Sequence, residues 1–237
     1  MHKTQKLVLE NGEKISCYVA PSSLVREPML IVIPDVFGAG WIDKLADAIA
    51  AQGPSVVVPD LNWKLAPQNR SKSRQGETAA HSLLFYNFDQ DKALSELLQV
   101  IHHFRVVEKL ASRVGAMGFS AGGTMAFLLA SKGEVECSAC YYPTGIEEHV
   151  GLLPNLKKPV LFHFGGSDSN IPMSVVDEIK ERSKQNELVN VHVYPDCDHF
   201  FSNRQSPTYN KDASEVCGTR TVKHFQEHLS NDSLPVK

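Results

Sequence analysis

Apolar and polar positions alternate at the start of the chain and then give way to solid apolar runs, and this change of pattern sets out the elements. Lys6–Glu10 and Lys14–Val19 alternate around Asn11-Gly12, which predicts a two-stranded antiparallel hairpin. Met29–Ile33 and Ser55–Val58 are continuous apolar runs, as expected of strands buried on both faces. Between them Trp41–Ala51 places Ile42, Leu45 and Ile49 on one face of a helix, with Gly53 beyond its end. Residues 29–60 therefore read as one β-α-β unit with parallel strands and a right-handed crossover.

The pattern then lapses. From Asn62 to about Glu77 the chain is polar and carries no period, and an aromatic stretch follows up to Phe88. Residues 62–88 read as a lid or ordered excursion near the carboxyl ends of the strands, or as a decorative loop. Asp89–Phe104 has an acidic start and apolar residues at 94, 97, 98, 101 and 104, a helical pattern. Further strands are expected near Arg113–Gly118, Ala139–Tyr142, Lys158–Phe164 and Val189–Tyr194. Helices are expected after Ser120 through Ser131, at Ser174–Gln185 and at Thr219–Leu229. Alternation without repeat or linker predicts an α/β fold over residues 1–237 as one domain: a mostly parallel open sheet, helices on both faces and the hairpin at one edge.

Composition narrows the partners. A formal net charge of -3 with no basic stripe argues against nucleic acid or an anionic membrane as partner. No apolar run reaches spanning length and the first residues lack the apolar core of a signal peptide, so a cytoplasmic protein is expected. Five cysteines, at 17, 137, 140, 197 and 217, suit a reducing compartment better than a disulfide framework. Cys137 and Cys140 have the spacing of a redox or half-zinc motif. They fall inside an apolar strand with no second pair, so buried structural thiols are expected and no metal or cofactor.

The chemistry centres on Gly118-Phe-Ser-Ala-Gly122, the G-x-S-x-G pattern of a nucleophile elbow. A strand that turns into a helix within a few residues holds Ser120 in a strained conformation at the strand end. The helix behind it offers unpaired N–H groups and a positive dipole end to an oxyanion. The alternative is a glycine-rich turn with no chemistry. A serine hydroxyl needs a base, and the base an orienter. Asp168 directly follows the strand ending at Phe164, and His199 directly follows the strand ending at Tyr194, which gives the order Ser, acid, His. His102 and His103 read as helix residues and His163 as a strand residue, while Asp196 and Asp198 share the turn of His199.

Segments along nearly the whole chain carry a family resemblance: Ile31–Gly38, Val58-Pro-Asp-Leu61, Gly118–Gly123, Phe127–Gly133, Tyr141-Tyr142, His163–Asp168 with Ile171-Pro172, and Asp198–Phe201. In these the sequence resembles the dienelactone hydrolase family of α/β-hydrolases. The resemblance implies an α/β-hydrolase fold with Ser120 as nucleophile, His199 as general base and acid, and Asp168 as its orienter. It places the oxyanion hole on the backbone N–H groups of Val36 and Ala121. Three departures stand out: dienelactone hydrolases carry cysteine where this chain has Ser120, and glutamate where it has Asp35. Their carboxylate-gripping arginines have no clear match, Asn203 taking the nearest slot with Arg204 beside it.

The expected substrate is therefore a small-molecule ester or lactone, with a non-catalytic binding protein or an acyltransferase as alternatives. Phe37, Trp41, Phe85, Tyr86, Tyr142, Phe200 and Phe201 either line an apolar pocket over the site or belong to the core; Asp35 and Arg204 are further pocket candidates. The sequence leaves the oligomeric state open.

Overall fold

The computed structural model describes residues 3–22, 28–36, 41–61 and 88–229. The chain divides into two compact units, residues 1–114 and 115–237. Nearly all of the 62–88 excursion, with Phe37, Phe85 and Tyr86, lies outside the described residues.

In the first unit β1 (Lys3–Val8) and β2 (Lys14–Ala20) form the expected antiparallel hairpin. Strand β1 begins and ends earlier than the alternation suggests. The register pairs Val8 with Lys14, so Leu9–Glu13 form a five-residue loop rather than a tight two-residue turn. Asn11 Oδ1 accepts from Glu13 N at 2.9 Å, and Gly12 takes φ +80°, the left-handed conformation for which the Asn-Gly pair is suited. Strand β2 runs antiparallel to β4 (Ser55–Pro59), which pairs in parallel with β3 (Met29–Ile33), giving the order β1-β2-β4-β3. Every residue of β3 and β4 is buried, which is why both are unbroken apolar runs.

Helix α1 (Ile42–Ala50) follows β3 and buries Ile42 and Ala46, with Trp41 directly before its first turn. Helix α2 (Gln90–His102) is capped by Asp89, whose side chain accepts from Lys92 N at 2.9 Å. The expected helix to Phe104 does not continue regularly: His103–Val107 form a wider π-type turn that buries Phe104.

The second unit is parallel throughout, with β5 (Val114–Phe119), β6 (Cys137–Tyr141), β7 (Val160–Gly165) and β8 (Val189–Tyr194) adjacent in that order. Strands β5, β6 and β7 are wholly buried, whereas β8 is half-exposed, as befits an edge strand. Helix α3 (Ala121–Ser131) is buried from Ala121 to Ala130 and has little polar character on any face. Helix α4 is Met173–Ser183.

Helix α5 spans Lys211–Leu229, beginning eight residues before the expected Thr219. Its start is marked by Asn210, whose Oδ1 accepts from Ala213 N at 3.1 Å and whose carbonyl accepts from Ser214 N at 2.9 Å. A tight helical segment, Ile146–Asn155, has no counterpart among the expected elements; it lies between β6 and β7 in the chain and buries Ile146, Val150 and Leu153.

All five cysteines are free and buried, and burial pushes the thiols of Cys17, Cys140 and Cys217 up to about 12. Cys137 and Cys140 lie in β6, as a buried strand pair rather than a surface motif. Among the described residues no helix is long and apolar enough to cross a membrane.

Candidate catalytic site

The join between β5 and α3 is built by its glycines. A Cβ on Gly118 would lie 1.9 Å from the carbonyl oxygen of Gly122, so any side chain there would force the turn apart. Between them Ser120 adopts φ 54° and ψ −123°, a conformation an L-residue holds only under constraint. The constraint is visible in its backbone bonds. Ser120 N donates to Tyr141 O at 3.0 Å, and Ser120 O accepts from Gly123 N at 2.8 Å and from Thr124 N and Thr144 N at 3.3 Å.

The acid and the imidazole come from two segments clamped main chain to main chain. Gly166 N donates to Tyr194 O at 2.7 Å and Ser167 N to Cys197 O at 2.9 Å. A Cβ on Gly165 would stand 2.4 Å from Cys197 O, and one on Gly166 would stand 2.6 Å from Pro195 O. Only glycine lets the end of β7 approach the turn after β8 so closely. Asp168 Oδ1 then accepts from Asn170 N at 2.8 Å and Ile171 N at 3.3 Å, which fixes the carboxylate.

The three side chains form one chain of hydrogen bonds. Asp168 Oδ2 lies 2.7 Å from His199 Nδ1, and His199 Nε2 lies 3.1 Å from Ser120 Oγ. All three are buried, the Asp168 side chain completely. A carboxylate at Nδ1 requires a proton there, so Nε2 presents its lone pair to the serine hydroxyl.

Asp198 shapes the turn rather than orienting the imidazole. Its Oδ1 accepts from the backbone N–H groups of His199 and Ser169, at 2.7 and 3.2 Å. His163 sits fully buried in β7, between Tyr194 OH at 3.0 Å and Thr221 Oγ1 at 2.9 Å, and burial holds its pKa well below the usual imidazole value. His102 ends α2 and His103 opens the π-type turn, both in the first unit.

Among the described residues, the rings of Phe200 and Tyr142 flank the imidazole. The Phe200 ring meets that of His199 edge-on with centroids 4.4 Å apart, and Tyr142 lies at 4.9 Å with its hydroxyl 2.9 Å from Ser202 Oγ. Both have positive φ, 61° for Phe200 and 37° for Tyr142. Phe201 is fully buried against Tyr142 and Tyr194, a core residue behind the site. Arg204 is exposed in the loop before α5, Ala121 is the first residue of α3, and Asp35 and Val36 are buried in the turn after β3. Thr144 is the residue that sequence reasoning missed: its Oγ1 lies 3.0 Å from Ser120 Oγ and 3.5 Å from His199 Nε2.

A buried Ser-His-Asp chain at the carboxyl ends of parallel strands defines the class as an α/β-hydrolase. The model of the dienelactone hydrolase family matches residues 15–229, and the chain belongs to that family. Among curated relatives, carboxymethylenebutenolidase 1 of Cupriavidus pinatubonensis is 26% identical over 220 residues, covering 92% of this chain and 94% of that protein. The carboxymethylenebutenolidase of Pseudomonas putida is 29% identical over 216 residues, covering 90% and 91%. Among solved structures, an esterase from Pyrococcus furiosus superposes with a TM-score of 0.72 at 15% identity, covering 97% of this chain and 93% of that one, a likeness of fold.

Proposed function

We propose that the protein hydrolyses a small-molecule ester or lactone through Ser120, His199 and Asp168 and an acyl-enzyme. The observation that carries this reading is the unbroken chain of hydrogen bonds from Asp168 Oδ2 through the imidazole to Ser120 Oγ, at 2.7 and 3.1 Å. Membership of the dienelactone hydrolase family and the names of the two curated relatives support the bond type.

Ser120 Oγ attacks the carbonyl carbon while its proton passes to His199 Nε2. Asp168 keeps the proton on Nδ1 and stabilises the imidazolium that forms. As the first residue of α3, Ala121 has an N–H with no partner inside the helix, and this group with the helix dipole stabilises the developing oxyanion. Imidazolium then returns the proton to the leaving alkoxide. Water, deprotonated by the same Nε2, attacks the acyl-enzyme and releases the acid and Ser120 Oγ–H. A lactone opens in the first step, so its leaving group stays attached to the product. The serine replaces the cysteine expected from the family resemblance and depends on its base, because an unassisted hydroxyl is a weak nucleophile at neutral pH.

Labelling with a fluorophosphonate, followed by peptide mass analysis, tests the reading beside a panel of p-nitrophenyl esters. The expected result is modification of Ser120 and turnover of the short esters, both lost in Ser120→Ala and His199→Ala. Turnover that survives in Ser120→Ala would overturn it.

A further inference from the structure

Thr144 stands where two reacting atoms of the proposed mechanism can both be reached, and its placement has its own supports. Tyr142 takes φ 37° and Gly145 φ 85°, so the chain turns sharply on either side of it. Its N–H donates to Ser120 O at 3.3 Å, and its carbonyl accepts from Thr124 Oγ1 at 2.8 Å. Gly123 lets this segment lie close to α3, since a Cβ there would sit 3.0 Å from Tyr141 O and 3.2 Å from Pro143. Thr144 is thus tied to the elbow by its own backbone at both ends, and only its side chain is left to act.

The protons decide what that side chain does. His199 Nε2 offers one lone pair, and two hydroxyl protons compete for it. In one arrangement Ser120 Oγ–H donates to Nε2 across 3.1 Å and Thr144 Oγ1–H donates to Ser120 Oγ across 3.0 Å. In the other Ser120 donates to Thr144, which donates to Nε2 across 3.5 Å, at the outer limit for a hydroxyl bond. Geometry favours the first. There the serine hydroxyl gives its proton to the base while its oxygen accepts from Thr144.

From this arrangement we propose that Thr144 is a fourth catalytic side chain, donating a hydrogen bond to Ser120 Oγ. That bond holds the nucleophile in its attacking rotamer and stabilises the negative charge it acquires as its proton leaves. This inference rests on the nucleophile assignment above. Thr144 itself forms no covalent bond and ends the cycle with its own proton.

The test is the rate of inactivation by a fluorophosphonate, resolved into the first-order constant kinact and the binding constant KI, with thermal unfolding measured in parallel. Thr144→Val removes the donor at nearly constant shape. Loss of one neutral hydrogen bond predicts a fall of about fivefold to tenfold in kinact with KI unchanged. Thr144→Ser, which keeps the hydroxyl, restores most of the rate, an outcome that a purely packing role would not give. Thr144→Ala serves in place of the valine variant if that fails to fold.

A folded Thr144→Val or Thr144→Ala protein with the wild-type kinact overturns the inference while leaving Ser120 as nucleophile. Equal losses in the serine and valine variants also overturn it. Absence of labelling in the wild-type protein overturns both readings together.

Discussion

Replacing Asp168 by asparagine keeps the shape of the site and reverses one proton. The carboxylate's two oxygens have distinct partners: Oδ1 accepts from two backbone N–H groups, of Asn170 and Ile171, and Oδ2 faces His199 Nδ1. An asparagine must put its single carbonyl oxygen at one of these positions. Two N–H donors require it at the first, so the amide NH2 falls at the second, 2.7 Å from Nδ1 in the wild-type spacing. Nδ1 can meet that donor only as an acceptor. The imidazole then carries its proton on Nε2, pointing at Ser120, and can no longer take the serine's proton.

A triad caught in the wrong tautomer loses about 10⁴ in kcat, equivalent to about 5 kcal/mol of transition-state stabilisation. Asp168→Ala leaves Nδ1 open to water and does not enforce the wrong tautomer. Ester turnover should therefore rank wild type, then Asp168→Ala, then Asp168→Asn, with ¹⁵N chemical shifts of the imidazole reporting the tautomer directly. Turnover of Asp168→Asn within tenfold of wild type, or above that of Asp168→Ala, would mean that the tautomer of His199 does not govern the rate.

Other outcomes follow from the same structure. Gly118→Ala meets the Gly122 carbonyl at 1.9 Å and should abolish soluble expression or cost several kcal/mol, as urea unfolding would show. Gly218→Ala has open space around the new methyl in the middle of α5 and should stabilise by about 0.5–1 kcal/mol, raising Tm by roughly 1–4 °C. His224 is buried and its pKa is lowered to about 4 by burial, with His228 adding a smaller effect, so the unfolded chain binds its proton more readily than the folded one. That stability is complete above pH 6.5 and drains away as pH falls towards about 4, by about 3 kcal/mol. Urea midpoints at intervals from pH 7 to pH 4 should fall accordingly, and the fall should be shallower in His224→Gln.

The parts of the molecule legible in the sequence are those set by local pattern. Strands β3 and β8 match the expected limits because a run of Val, Ile and Leu or a simple alternation reports burial directly. That Ser120, Asp168 and His199 converge is legible because each follows a strand, and strand ends converge in a parallel sheet. The early turns of α5 were missed because residues 211–218 carry little apolar period and Gly218 looks like a stop; the capping Asn210 was the available signal. Thr144 gave no signal. Its place depends on the positive φ of Tyr142, a residue type that does not announce one, and on Thr124 and Gly123, about twenty residues away in the chain.

The five buried thiols bear on how the protein would withstand oxidants. Oxidation of cysteine proceeds through the thiolate, and burial raises the thiols of Cys17, Cys140 and Cys217 to about 12 and that of Cys197 above its ordinary value. With a hydroxyl at position 120, the proposed nucleophile cannot be converted to a sulfenic acid. Peroxide or an alkylating reagent that would silence a cysteine nucleophile finds no accessible counterpart among these side chains.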